Sequence, residues 1–443
     1  MMPATVITGA MGNNEPVASI IEELLWRELI FDSTDLGALR EATDAGSITL
    51  YCGFDPTAPS LHLGNLAQIL TVRRFQQHGH RPLALVGGAT GLIGDPKESG
   101  ERSLNPAETV QAWVDRIREQ LERFYDFDGP NAAMMVNNYD WTHDLSALEF
   151  LRDVGKHFSV NRMLDREAVA ARLAKDGISY TEFSYQLLQS YDYLQLFRQY
   201  ECVLQTGGSD QWGNITAGVD LVRRMDGAHV HALTTPLITK ADGTKFGKTE
   251  SGTVWLDPEL TSPYAFFQFW LNVDDQDVPV LLRTFSFRSQ AEVDALIAAT
   301  AERPHERAAQ RALAEELTQL VHGADEMRGA AAAGQVLFGQ GELSDVPLDS
   351  LSAALLETPN VTLEATELED GALPAVDELM VRCGLVESKG AARRAVKEGG
   401  AYVNNVRVVD PSQRPTTDDL VQGRWLVLRR GKRTVGGVLV ELT

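Results

Sequence analysis

The sequence predicts an α/β fold: a parallel sheet with ligand-binding loops, then a helical region, then a small basic α+β module. Three observations carry this. Within the first 250 residues, an apolar run, a loop bearing glycine and carboxylate, and helical sequence follow one another three times. From about Asp257 the pattern turns helical, as in PHERAAQRALAEELTQLVHG (304–323). The charge also changes sign near Pro374. From there to the end are 12 Lys+Arg against 8 Asp+Glu, a net of +4, which leaves −26 on the rest of a chain whose total is −22.

The strands come first. SITLYCGFD (47–55) alternates as a strand does and breaks at Gly53 and Asp55. RPLALVGGATGLIGDP (81–96) runs apolar from Leu83 to Val86, then carries four glycines and Asp95. ECVLQTGGSDQWGN (201–214) runs from Cys202 to Gln205, then Gly207, Gly208, Asp210 and Gln211. After the first loop, Leu66, Ile69 and Leu70 recur at helical spacing. Strands alternating with helices imply a parallel sheet, which binds ligands at the carboxyl ends of its strands. No GxGxxG follows the first strand, which argues against a hydride-transfer enzyme.

At 443 residues the chain is long enough for roughly three domains, and 44% hydrophobic content is that of a globular protein. A charge of −22 excludes a protein that coats nucleic acid with its whole surface, though not one with a local basic patch. Cys52, Cys202 and Cys383 are scattered and without CxxC spacing, as reduced thiols in a cytoplasm are. The first sixteen residues hold no Lys or Arg and no long apolar core, unlike secretory or transit signals. No apolar run reaches eighteen residues, so no membrane span is expected. The stretch 341–373 has eight acids and no Lys or Arg, and 343–373 reads as an acidic linker.

Two loops look built for anions. KFGKT (245–249) places two lysines around a glycine, but Gly243 and Gly247 enclose three residues where a Walker loop needs four. HLGN (62–65) offers His62 and Gly64 where a helix begins and backbone N–H groups face a ligand. Together YCGFDPTAPSLHLGN and KFGKT resemble the HIGH and KMSKS motifs of class I aminoacyl-tRNA synthetases. FSYQLLQSYDYL, GGSDQWGN and LITKADGTKFGKTESG are similar to bacterial tyrosyl-tRNA synthetases in particular, from about Leu24 to the end. The resemblance departs at Asn65, in place of the second histidine, and at Phe246, Gly247 and Thr249, in place of Met, Ser and Ser.

The resemblance implies a Rossmann-like catalytic domain over 18–256 after an extension (1–17), a helical anticodon-side domain over 257–342, and over 374–443 a domain like one of a small-subunit ribosomal protein. It implies a dimeric cytoplasmic tyrosine–tRNA ligase with three partners: L-tyrosine, ATP and tRNA(Tyr). Mg²⁺ would travel with ATP, and no tightly bound cofactor is expected. His78-Gly-His80 and His229-Val-His231 read as surface or turn histidines rather than metal ligands.

In the family's scheme Thr57, His62, Lys245 and Lys248 stabilise the departing pyrophosphate, with Thr249 assisting. Asp55, Gly64, Asn65, Gly208 and Asp210 hold adenosine and ribose. Tyr51 and Asp192 take the phenolic hydroxyl; Asp95, Tyr185 and Gln189 take the ammonium, and Gln211 joins the same pocket.

The residues themselves support part of this. In TEFSYQLLQSYDYLQLFRQY (181–200), Tyr185, Gln189 and Asp192 share one helix face, and Asp192 is the only charge between Phe183 and Phe197. A lone carboxylate in so apolar a helix needs a donor, and a phenol serves. Such a site rejects phenylalanine by leaving buried polar groups unpaired; tyrosyl-tRNA synthetases are themselves the reference example of this effect, and it is taken over from them. A tryptophan-specific enzyme fits less well, because Asp192 and Tyr51 suit a hydroxyl rather than an indole. An RNA binder that lost catalysis is the alternative from another class. Lys389, Arg393, Arg394 and Lys397 form one basic cluster, and Arg429, Arg430, Lys432 and Arg433 a second, both suited to a phosphate backbone.

Overall fold

The computed structural model describes residues 19–96, 104–164, 166–175, 177–244, 246–249, 252–431 and 434–441. The extension 1–17, the loop 97–103, Lys245, Lys432 and Arg433 lie outside the described residues. The chain forms two units. One is the segment up to Pro59 with Ala67–Leu237; the other is Ser60–Leu66 with the chain from Ile238 onward.

The first unit is built on a six-stranded sheet. Its strands are β1 (Asp32–Ser33), β2 (Thr49–Phe54), β3 (Arg81–Val86), β4 (Met134–Asn137), β5 (Cys202–Gly208) and β6 (His231–Thr235), in the order β1-β6-β5-β2-β3-β4. The last five run parallel, and β1 pairs antiparallel to β6. From β2 the chain moves to β3 and β4; from β5 it moves the other way to β6. The sheet therefore has its switch point between β2 and β5, where parallel sheets open a crevice at their carboxyl ends.

The alternation read for 47–55 does not survive. Leu50, Tyr51 and Cys52 are buried in succession, as is β3 after Arg81. The reason is physical: a parallel sheet is covered on both faces, so its strands bury residues of both parities. The helices Tyr180–Tyr200 and Trp212–Asp226 pack on each other and on β5. The first starts at Ser179, whose Oγ accepts from Glu182 N (3.3 Å), and ends where Glu201 turns left-handed at φ 54°.

The second unit begins with a short hairpin of β7 (Lys248–Thr249) and β8 (Gly252–Thr253) and continues as helices. Helices Pro263–Leu271, Val278–Phe285 and Ala308–His322 bury Phe266, Trp270, Phe285, Leu313 and Leu317. The C-terminal sheet has the order β11-β10-β12-β13-β9, from β9 (Asn360–Glu364), β10 (Ala401–Val403), β11 (Val406–Arg407), β12 (Trp425–Arg430) and β13 (Thr434–Glu441). The stretch 343–373, expected as a linker, is built into this region. It supplies the helix Leu348–Leu356 and β9, which lies parallel to β13. Its leucines explain why: Leu351, Leu355, Leu363 and Leu373 are buried while the acids face outward, a pattern that charge counting alone conceals.

Candidate active site

The carboxyl ends of β2, β3, β4 and β5 bring a connected set of polar side chains together in the first unit. Asp192, 2% exposed, points from the helix Tyr180–Tyr200 to two donors: Asn138 Nδ2 at 2.9 Å and Trp141 Nε1 at 2.8 Å. Asn138 is fully used. Its second amide hydrogen goes to Thr90 Oγ1 (2.8 Å), and its Oδ1 accepts from Ala89 N (2.7 Å). Thr90 donates in turn to Asp55 Oδ1 (2.6 Å), and Tyr185 Oη donates to Asp55 Oδ2 (2.7 Å). A relay thus runs from Asp192 to Tyr185 through groups that are nearly all buried.

Burial sets the electrostatics. It pushes the Asp192 carboxyl up to about 7, against the lowering pull of the Asn138 and Trp141 hydrogen bonds. Burial first, then the charges of Asp55 and Asp95, hold the Tyr185 hydroxyl well above its ordinary value. Tyr51 is 1% exposed, with its ring 5.4 Å from that of Tyr193 in an edge-on arrangement. Its hydroxyl is raised by burial and by Asp192, and among the described residues it has no hydrogen-bond partner. The same holds of Gln189 Oε1. Buried polar atoms in native proteins are almost always paired, so each of these two calls for a partner.

A second network holds Asp95. Gln211 Nε2 donates to its Oδ2 (3.1 Å) and Asn214 Nδ2 to its Oδ1 (3.2 Å), while Asn214 Nδ2 also reaches Gln211 Oε1 (3.0 Å). Close backbone approach is required at Gly87, where a Cβ would run into Asp55 Oδ1 and Thr90 Oγ1. At Gly208 a Cβ would lie 2.6 Å from Asp210 Oδ1. Asp210 itself is exposed, as is Thr57, whose N–H donates to Asp55 O (2.8 Å).

The second unit holds both the HLGN and the KFGKT segments. His62 precedes the helix Leu63–Gln77 and caps it: its Nδ1 accepts from Gly64 N (3.1 Å), its N–H donates to Asn65 Oδ1 (3.1 Å), and its carbonyl accepts from Leu66 N (3.0 Å). This assigns the ring proton to Nε2. Asn65 therefore has a structural duty, receiving the backbone N–H at the helix start. A Cβ at Gly64 would press His62 Cε1 at 2.9 Å. Gly247, at φ +83°, lies against Leu63, and its carbonyl accepts from Val254 N (3.0 Å). Lys248 and Thr249 form β7; Lys245 lies outside the described residues.

In the C-terminal region the helix Lys389–Lys397 carries the predicted basic cluster. All four are exposed; Lys389 Nζ is 2.9 Å from Glu378 Oε2 and Arg393 Nε is 2.9 Å from the buried Asp377. Arg429 stacks on Tyr402, 4.0 Å from its ring centre, and Arg430 donates to Leu385 O. His78 and His80 are also engaged: His78 Nε2 meets Glu23 Oε2 at 3.2 Å, and His80 Nδ1 accepts from Ile48 N, with burial lowering its pKa to about 4.

Asn138, Trp141, Thr90 and Asn214 were not singled out from sequence. A signal existed for two of them: VNNYDW (136–141) sets amide and indole donors directly after an apolar run.

The family model described as tRNA synthetases class I (W and Y) matches residues 43–339. The chain belongs to that family, the class of enzyme this sheet and crevice define. Within it the chain stands with the tyrosine–tRNA ligases. A model of the tyrosine–tRNA ligase SYY-like C-terminal domain matches residues 353–435. The chain is 62% identical to the tyrosine–tRNA ligase of Streptomyces avermitilis, across 96% of this chain and 99% of that one. It is 58% identical to that of Thermobifida fusca, across 96% and 100%. Among solved structures, a C-terminally truncated mitochondrial tyrosyl-tRNA synthetase of Aspergillus nidulans is 30% identical with a TM-score of 0.65, covering 72% of this chain and 93% of that one. No described helix is long and apolar enough to cross a membrane.

Proposed function

We propose that the chain activates L-tyrosine with ATP and attaches it to tRNA(Tyr). In the first step the tyrosine carboxylate attacks the α-phosphorus of ATP; a new P–O bond forms, the bond to pyrophosphate breaks, and tyrosyl-adenylate results. In the second, a hydroxyl of the 3′-terminal ribose of the tRNA attacks the acyl carbon and AMP leaves. Neither step needs an enzyme nucleophile, so the rate comes from positioning and from stabilising charge on the departing pyrophosphate. Lys245, Lys248, Thr249, Thr57 and His62 supply that charge and those donors. Mg²⁺ enters with ATP as part of the substrate and keeps much of its water.

The observation that carries the tyrosine assignment is the Asp192 pocket. A buried carboxylate held by Asn138 and Trp141, beside a buried Tyr51 hydroxyl with no partner among the described residues, offers one acceptor and one donor. A phenolic hydroxyl satisfies both; an indole N–H satisfies only the first, and a phenyl ring neither. Asp95, Tyr185 and Gln189 take the ammonium, with Gln211 holding Asp95 in place. Asp55, Gly64, Asn65, Gly208 and Asp210 take the adenosine.

The enzyme works in the cytoplasm as a homodimer. Leu148, Leu151, Val160 and Tyr180, all in one stretch of the first unit and 50–81% exposed, are the kind of apolar surface a second copy covers. Arg394 and Lys397 lead the contact with tRNA phosphates, since Lys389 and Arg393 already face carboxylates. The test is charging of tRNA(Tyr) with labelled tyrosine by the full chain. Acid-precipitable tyrosine that depends on ATP supports the reading; adenylate formation without transfer would confine the protein to the first step.

A further inference from the structure

The KFGKT loop is pegged to the helical region by its own Phe246, at the position where the related motif has methionine. The Phe246 ring lies 5.3 Å from Phe269, 5.6 Å from Trp270 and 6.0 Å from Phe285, in edge-on and tilted arrangements. Those partners are themselves fixed. Trp270 and Phe285 are fully buried and 4.9 Å apart, and Phe269 meets Trp270 edge-on at 5.4 Å. Two backbone ties hold the same loop: Phe246 N donates to Ile238 O (3.2 Å), and Ala241 N donates to Asp277 Oδ1 (2.7 Å) just before the helix Val278–Phe285. Leu63, next to His62, closes the other side against Gly247.

From this we infer that Phe246 is a positioning residue for the activation step: seated in the Phe269–Trp270–Phe285 cluster, it fixes the backbone that leads into β7 and Lys248. The inference rests on the proposed function, because it assumes that Lys248 acts on the ATP phosphates. A glycine-rich loop with no side-chain anchor would present its lysines over a range of positions, and misplacement by about 1 Å costs on the order of 100-fold in rate. The aromatic seat removes that range without touching substrate.

The test is steady-state ATP–pyrophosphate exchange with tyrosine, on the full chain. Phe246→Ala is expected to lower kcat by about 10–100-fold while leaving the KM for tyrosine within about twofold, because the tyrosine pocket belongs to other residues. Phe246→Met, whose flexible thioether also packs on aromatic rings, is expected to recover most of the rate. Leu317→Ala, a core truncation in the helix Ala308–His322, controls for simple loss of stability and is expected to keep kcat. Should Phe246→Ala fail to fold, Phe246→Leu carries the same test with about a 10-fold loss.

An unchanged kcat in Phe246→Ala or Phe246→Leu overturns the inference. So does a loss that Leu317→Ala matches at equal melting temperature. Wild-type protein without tyrosine-dependent exchange would instead overturn the functional reading beneath it.

Discussion

Replacing Trp141 by phenylalanine keeps an aromatic ring beside the sheet and deletes one donor. The deleted bond is Trp141 Nε1 to Asp192 Oδ1 at 2.8 Å, one of the two side-chain donors that offset the burial of this carboxylate. A hydrogen bond to a charged group contributes about 1.5–3 kcal/mol. At 1.36 kcal/mol per pKa unit, its loss raises Asp192 by roughly 1–2 units. The carboxyl then moves from about 7 to roughly 8–9, and at neutral pH it is mostly protonated. An ionised acceptor binds a phenol about twice as strongly as a neutral one, so tyrosine affinity follows the ionised fraction. Wild type should therefore show kcat/KM for tyrosine rising with pH through about 7, and Trp141→Phe the same rise displaced upward. ATP–pyrophosphate exchange from pH 6 to 9.5 reads both profiles, with the KM for ATP as the control. Superimposable profiles would refute the claim that Trp141 tunes Asp192 for substrate.

Other outcomes follow from the same geometry. Asp192 keeps its proton up to about 7 in the folded chain but releases it near 3.8 when unfolded. Its ionisation therefore costs the fold on the order of 4 kcal/mol as pH climbs through that window. Asp192→Asn should abolish tyrosine activation, yet its melting temperature should gain on wild type between pH 5 and pH 8. The gain across that range is about 3 °C if the chain melts as one; no gain would contradict the raised pKa. Arg172 and Glu182 face each other at 3.2 Å, both about 3% exposed or less, beside the first turn of the pocket helix. Glu182→Gln should cost about 3–5 kcal/mol in melting experiments, and Arg172→Leu with Glu182→Leu should recover much of it. Lys248→Ala should slow exchange by about 10²–10³-fold with the KM for tyrosine unchanged, because its charge acts on pyrophosphate.

Much of this was legible in the sequence because loops announce themselves. Glycines after apolar runs marked the ends of β2, β3 and β5, and three such ends sufficed to imply a parallel sheet with a crevice. Asp192 stood out as the only charge between Phe183 and Phe197 of an apolar helix, and it is buried. What the sequence hid depends on contacts distant along the chain. Asn138 and Trp141 reach Asp192 across more than fifty residues, and no local pattern states that an amide after one strand faces a helix elsewhere. Phe246 looked like a departure from a motif and is an anchor, because its partners lie beyond residue 260. The acidic stretch 343–373 misled for a related reason: charge counting saw its outer face, while β9 is defined by its partner β13 at the far end of the chain.

The most direct test of the central claim is amino-acid-dependent ATP–pyrophosphate exchange without tRNA, comparing tyrosine, phenylalanine and tryptophan. The account predicts exchange with tyrosine and none above background with the other two, since only a phenolic hydroxyl satisfies Asp192 and Tyr51 together. Exchange supported equally by phenylalanine, or no exchange with any of the three in well-folded protein, would contradict it.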